Sequence, residues 1–93
     1  ALFYYPWSII PDSRDQDKLL VTDGQNKAVR HVDIHTGVVF TFYKGALDNP
    51  MGITQDVSTG DLYMTTYYDV YHLHYQSKEV TLITGSPTQI SDV

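Results

Sequence analysis

Two histidines, His72 and His74, are the residues of this sequence best suited to metal chemistry. In an extended strand, residues two apart point to the same face, so the two imidazoles would lie close enough to share one metal ion. Imidazole nitrogen is a common zinc ligand. No third ligand lies near them in sequence, however. The chain also contains two similar copies of one segment, described below, in which His31 of the first copy matches His72 of the second. A structural role for His72 is therefore the alternative interpretation.

The second unusual set of side chains is aromatic, because the chain contains eight tyrosines. A tyrosine offers a large, rigid contact area with a polar tip and is therefore enriched at interfaces. The alternative for many of these residues, and for Trp7 in particular, is packing between neighbouring repeats. The candidate interface residues are Trp7, Tyr43, Tyr63, Tyr67, Tyr68, Tyr71 and Tyr75.

Composition excludes several classes of function. Six basic residues against eleven acidic ones give a net charge of −5, so the chain lacks the Lys/Arg surface that binds nucleic acid or anionic lipid. Cysteine is absent, which excludes disulfides and thiolate metal sites, and no apolar run reaches the length of a membrane span. No glycine-rich phosphate loop and no Ser-His-Asp ordering stands out, so we predict neither a cofactor nor a catalytic residue.

The segments that carry these residues occur twice. The offset between the two copies is 44 residues at the prolines Pro6 and Pro50, 41 at the valines Val29 and Val70, and 40 at the glycines that close each copy. The differences therefore fall in the connecting loops. A period of this length, with four short strand-like segments in each copy, is typical of a β-propeller blade.

Runs rich in β-branched and aromatic residues, bounded by turn residues, predict eight strands and no helix. The prediction places the first blade at 1–45, the second at 46–87, and a linker into a following repeat at 88–93. The predicted strands are Trp7–Ile10, Leu19–Thr22, Ala28–Ile34, Val38–Tyr43, Gly52–Val57, Leu62–Thr66, Val70–Tyr75 and Val80–Thr84.

The segment Leu47–Asp56, followed by Thr59–Met64, resembles an NHL repeat. The usual form of that repeat is an apolar residue, proline, a small residue, Gly-Ile and a nearby aspartate. A glycine and a strand of the form apolar-Tyr-apolar then follow.

The first repeat resembles the same family through Val21–Arg30, which contains an Asp and an Arg at Asp23 and Arg30. The second repeat departs from the pattern, with Thr66 and Tyr71 in those two places. The second repeat therefore lacks the Asp–Arg pair that the first repeat keeps, and we predict no ligand role for that pair.

The resemblance implies an all-β fold made of two four-stranded antiparallel blades of an NHL-like β-propeller. The ring would be incomplete, because closure needs about four to eight blades. A repeat cannot bury its apolar face alone, so further blades, copies of the chain or another protein would have to cover the two sides.

Asp12 and Asp56 occupy equivalent places after the first strand of each repeat. The resemblance implies that carboxylates near the propeller axis can bind a divalent metal, so these two are candidate ligands. The alternative is a capped turn or a hydrogen bond between neighbouring blades.

The predicted function is a non-enzymatic, protein-binding or structural propeller segment. Two alternatives stay open: part of a six-bladed hydrolase or lyase with an axial divalent metal, and a carbohydrate-binding propeller that uses the tyrosines. The resemblance also implies an extracellular or cell-surface location.

Overall fold

The chain folds into two antiparallel β-sheets of four strands each. The computed structural model describes residues 3–45 and 47–84. The first sheet contains β1 to β4 and the second sheet β5 to β8. The strands are β1 (Pro6–Pro11), β2 (Lys18–Asp23), β3 (Ala28–Asp33), β4 (Val39–Lys44), β5 (Ile53–Gln55), β6 (Leu62–Thr65), β7 (Val70–Leu73) and β8 (Val80–Thr84).

Each sheet is a simple meander in which consecutive strands are neighbours. The predicted all-β class with two four-stranded antiparallel sheets is confirmed. The one helical segment in the described residues is a single 3₁₀ turn at Gly24–Asn26, and these residues contain no helix with the length and apolarity of a membrane span. The predicted linker at 88–93 lies outside the described residues.

The third strand of the first sheet ends one residue earlier than predicted, and the fourth begins one residue later. Asp33 causes both differences, because its carboxylate accepts hydrogen bonds from the backbone N–H groups of His35 and Thr36 and so turns the chain. Ile34 and Val38, predicted to lie in strands, are therefore exposed residues of the hairpin loop.

The first strand of the second sheet is also shorter than the predicted Gly52–Val57. The Asp56 carboxylate accepts hydrogen bonds from the backbone N–H and the hydroxyl of Ser58, which starts the turn at Asp56. Val57 is consequently a turn residue, 74% exposed.

Pairing between strands shows how the two sheets correspond. The pairs Leu19–Val32 and Leu20–His31 in the first sheet match Leu62–Leu73 and Tyr63–His72 in the second. A register shift interrupts the last ladder of each sheet at equivalent points, after Val29 and after Val70.

The ladder corrects the sequence alignment over the fourth strands. His31 pairs with Phe40 and His72 with Thr81, so the structural offset there is 41 residues rather than the 40 measured between the closing glycines. The bulged residue Phe42 therefore corresponds to Ile83.

The hydrophobic core lies between the two sheets. The first sheet contributes Leu20, Val29 and Phe42, and Leu47 from the connection also lies in the core. The second sheet contributes Leu62, Met64 and Leu73. The backbone contact between the two sheets is most extensive at β1 and β5.

Candidate functional site

Asp12 holds the two sheets together through a buried carboxylate. Its Oδ2 lies 2.7 Å from Nε2 of His31 on the same sheet and accepts a 2.7 Å hydrogen bond from the hydroxyl of Tyr75 on the second sheet. Its Oδ1 accepts from the backbone N–H of Arg14 and from Nε2 of Gln55, which also belongs to the second sheet. Both oxygens are thus engaged by protein donors. This Asp12 cluster, formed by Asp12, His31, Gln55 and Tyr75, acts as a polar clamp between the sheets.

The Asp12 cluster shifts the acidities of two of its members. Desolvation by burial is the largest influence on Asp12 and acts to raise its pKa, but the hydrogen bonds from Tyr75, Arg14, His31 and Gln55 together hold that pKa below the ordinary value. Burial and the Asp12 carboxylate raise the pKa of Tyr75. Asp12 therefore stays ionised and Tyr75 stays a hydrogen-bond donor at neutral pH.

The face of the first sheet that points away from the core is open. Trp7, Ile9, Leu19, Val21 and Val32 line a groove of about 380 Å³ on this face, which we call the front flank. Trp7 is 55% and Ile9 59% exposed. The structure therefore places Trp7, predicted as an interface or packing residue, on an uncovered apolar surface.

The opposite face of the second sheet is open as well. The pairing pattern places Thr54, Tyr63, Thr65, Val70 and His72 on this face, which we call the rear flank. A groove of about 340 Å³ lies along it, lined in part by Thr54, Tyr63, Thr65 and Val70. Ile83 at the bulge of β8 is 44% exposed, whereas its counterpart Phe42 in the first sheet is 9% exposed in the core.

The front flank is similar in composition to the face of the second sheet that packs in the core. Ile9, Leu19, Val21 and Val32 occupy the positions that Ile53, Leu62, Met64 and Leu73 occupy in the second sheet. The latter residues pack against the first sheet. The front flank thus matches, residue for residue at these four positions, the face of the second sheet that packs in the core.

The Asp–Arg pair of the first sheet lies on the same side as the front flank. Arg30 Nε donates to Oδ2 of Asp23 over 2.9 Å, and Asp23 also accepts from the backbone N–H of Tyr4 and the side chain of Asn26. Although desolvation acts to raise it, these donors hold the pKa of Asp23 below its ordinary value. The pair anchors the segment before β1, and its partners are all supplied by the protein.

Asp61, His72 and His74 form a second polar cluster. Nε2 of His72 lies 2.9 Å and Nδ1 of His74 lies 3.5 Å from Oδ2 of Asp61, and the ligand atoms of the three residues all lie within 4.8 Å of one another. All three side chains are partly exposed. The backbone N–H of Tyr75 donates to Oδ1 of Asp61, and this bond, followed by the contact with His72, lowers the pKa of Asp61.

The structure separates Asp56 from these clusters. Asp56 accepts hydrogen bonds within its own turn, and those from the Ser58 hydroxyl and backbone lower its pKa. The two candidate carboxylates Asp12 and Asp56 therefore do not meet: one lies between the sheets and the other caps an exposed turn.

The predicted interface tyrosines fall into three groups. Tyr43, Tyr71 and Tyr75 pack against the core, and burial followed by the nearby Asp69 raises the pKa of Tyr71. Tyr63 stacks on His72 at 4.7 Å on the rear flank. Tyr67 and Tyr68 are exposed in the turn between β6 and β7.

Sequence reasoning missed Asp61 and Gln55. Asp61 comes immediately before Leu62, and the pairing of Leu62 with Leu73 places Asp61 opposite His74. Prediction of the strand register in that hairpin would have placed Asp61 beside the histidines. The sequence gives no comparable signal for Gln55, because Gln55 and Asp12 belong to different sheets.

Comparison with known proteins adds no assignment to these sites. No family model, no curated protein and no solved structure matches the chain.

Proposed function

We propose that this chain is a non-enzymatic, protein-binding segment of an NHL-like β-propeller, and that each open flank binds a further four-stranded sheet of the same repeat. The observation that carries the proposal is the correspondence between the front flank and the covered core. Leu19, Val21 and Val32 stand where the second sheet has core residues.

The contact between the two sheets is of a kind that can be repeated. It joins one face of the first sheet to the opposite face of the second, so each sheet has one face of each type. Such a head-to-tail contact leaves one open face at each end of the pair of sheets: the front flank at one end and the rear flank at the other. Repetition of the contact generates a closed ring or an open filament.

A ring is supported by the arrangement of the strands. The backbone contact between the two sheets is most extensive at β1 and β5, the first strand of each sheet. Blades of a propeller converge in the same way around a central channel, and about four to eight of them close a ring. This geometry agrees with the resemblance to NHL repeats.

For this chain on its own, the occupant of each flank is a second copy, with its front flank on the rear flank of the first. Ile9 and the other apolar residues of the front flank would be buried against Tyr63, Val70 and Ile83, and burial of apolar surface drives such association. Three copies would supply six sheets.

The contact between copies would lack the polar clamp found inside one chain. Pro11 and Ile34 occupy the positions that correspond to Gln55 and Tyr75, so neither can donate a side-chain hydrogen bond to the Asp56 of a neighbouring copy. We therefore expect self-association to be reversible and dependent on concentration.

A charge on either flank should abolish this association. In sedimentation velocity experiments over a range of concentrations, the wild-type chain is expected to sediment faster as concentration rises. Ile9→Asp and Ile83→Asp should each show a loss of that trend, because each buries a carboxylate in an apolar contact. Ile9 is 59% and Ile83 44% exposed in the single chain, so the variants should still fold.

Val57→Asp is the matched control. Val57 is 74% exposed in the turn between β5 and β6, and its counterpart Ser13 stays exposed although the second sheet packs beside it, so substitution of Val57 should leave the association unchanged. A wild-type chain that stays monomeric at every concentration, or a Val57→Asp variant as disrupted as the flank variants, would overturn the proposal.

A further inference from the structure

The Asp61–His72–His74 cluster combines two imidazoles and one carboxylate on one face of the second sheet. It is the one group of three or more potential metal ligands found in residues 3–45 and 47–84. His72 lies in β7, and Asp61 and His74 directly adjoin the Leu62–Leu73 pair at the end of the β6–β7 ladder.

The separations suit a small transition-metal ion. Two ligands on a tetrahedral zinc ion, with bonds of about 2.0–2.1 Å, lie about 3.3 Å apart. The Asp61 oxygen is 2.9 Å from the His72 nitrogen and 3.5 Å from the His74 nitrogen. Small rotations of these partly exposed side chains would bring all three atoms onto one ion.

Neighbouring groups orient two of the three ligands. The backbone N–H of Tyr75 donates to Oδ1 of Asp61 over 2.9 Å, which leaves Oδ2 directed at the imidazoles. The ring of Tyr63 stacks on that of His72 with centroids 4.7 Å apart. Hydrogen bonding and packing of this kind fix the orientation of ligands in metal sites.

The equivalent place in the first sheet lacks this combination. Lys18 and Asp33 occupy the positions of Asp61 and His74 and form an ion pair of reversed polarity at 3.4 Å. His31, the counterpart of His72, is engaged with Asp12. The second sheet thus has two imidazoles at positions where the first sheet has only one, and the additional one, His74, completes the ligand set.

We propose that Asp61, His72 and His74 bind one Zn²⁺ ion or a similar divalent transition metal at the edge of the rear flank. The ligand set is two nitrogens and one oxygen, which leaves a fourth tetrahedral position to water. The chemical preference is for imidazole-binding metals such as zinc rather than for calcium or magnesium, which favour all-oxygen sites.

The experiment is a zinc titration of the folded chain by isothermal calorimetry. The wild-type chain is expected to bind one Zn²⁺ per chain, and zinc should raise its melting temperature, because a ligand that binds only the native state stabilises it. His74→Ala and Asp61→Asn should each weaken binding by more than about tenfold. Circular dichroism identifies which variants are folded. Because two ligands are substituted separately, the test can still be made if one of the two variants fails to fold.

His35→Ala is the matched control. His35 is an exposed histidine whose Nε2 lies 3.0 Å from Asp17, yet this pair belongs to no three-residue group in the described part of the chain. Its removal should leave zinc binding unchanged. Absence of stoichiometric binding by the wild-type chain, unaltered binding by both ligand variants, or equal loss in His35→Ala would overturn the proposal.

Discussion

Replacement of Asp12 by alanine is expected to lower the free energy of unfolding by about 3 kcal/mol, because the change leaves several buried or half-buried donors without their acceptor. The His31 ring, the Tyr75 hydroxyl and the Gln55 amide all contact the Asp12 carboxylate. Two of these donors belong to the other sheet, so the substitution removes the polar clamp between the sheets. Urea denaturation followed by circular dichroism measures the effect.

Asp56→Ala is the natural control for this substitution, because Asp56 occupies the same place in the second repeat. The hydrogen bonds described for its carboxylate come from Ser58 in the same exposed turn, so its loss should lower the free energy of unfolding by about 1 kcal/mol or less. Equal losses for the two variants would show that Asp12, like Asp56, serves its own turn rather than the contact between sheets.

The Asp12 effect should also depend on pH in a defined direction. The pKa of Asp12 is lower in the folded chain than its ordinary value of 3.8. A carboxyl group of this kind contributes stability that is fully present above the unfolded pKa and is lost as pH falls through the folded one. The difference in stability between the wild type and Asp12→Ala should therefore shrink on acidification below about pH 3.8.

Leu62→Ala is expected to cost about 3 kcal/mol, in the range found for leucine truncation in a packed core. Leu62 is 0% exposed and lies in the core between the sheets. The substitution removes apolar contacts with the first sheet and leaves a cavity that the surrounding strands fill only in part. Thermal or urea denaturation of the dilute chain gives the value.

Leu19→Ala tests whether the front flank is the uncovered counterpart of that core. Leu19 occupies the position of Leu62 but lines an open groove, so truncation should cost about 1 kcal/mol or less in the dilute chain. The same variant should weaken self-association. A loss as large as that of Leu62→Ala in the monomer would mean that the front flank is already covered within one chain.

Much of the fold could be predicted because strand composition and turn residues are local signals. All eight strands appear near their predicted positions. The strand ends near Asp33 and Asp56 were not predicted, because the side chain that caps each turn ends the strand although apolar residues continue beyond it in the sequence. The one-residue error over the fourth strands has a different cause, since the alignment was anchored on the closing glycines, whereas the pairing between strands gives an offset of 41 residues on both sides of a bulge that the two sheets share.

The polar clusters were less predictable, because they depend on pairing between strands and on packing between sheets. His72 and His74 were recognisable from their spacing alone, but Asp61 joins them only through the hairpin register. Asp12 was recognisable as a repeated carboxylate, whereas its partner Tyr75 lies 63 residues away on the other sheet. No spacing rule within one strand reports such a contact.

The most direct test of the head-to-tail contact is to mix the two flank variants. Ile9→Asp blocks the front flank but keeps the rear one, and Ile83→Asp does the reverse, so neither should associate alone. With one variant labelled with ¹⁵N, sedimentation equilibrium and mass analysis of the mixture should reveal a one-to-one pair and nothing larger. A mixture that stays monomeric, or a single variant that still forms dimers, would contradict the account.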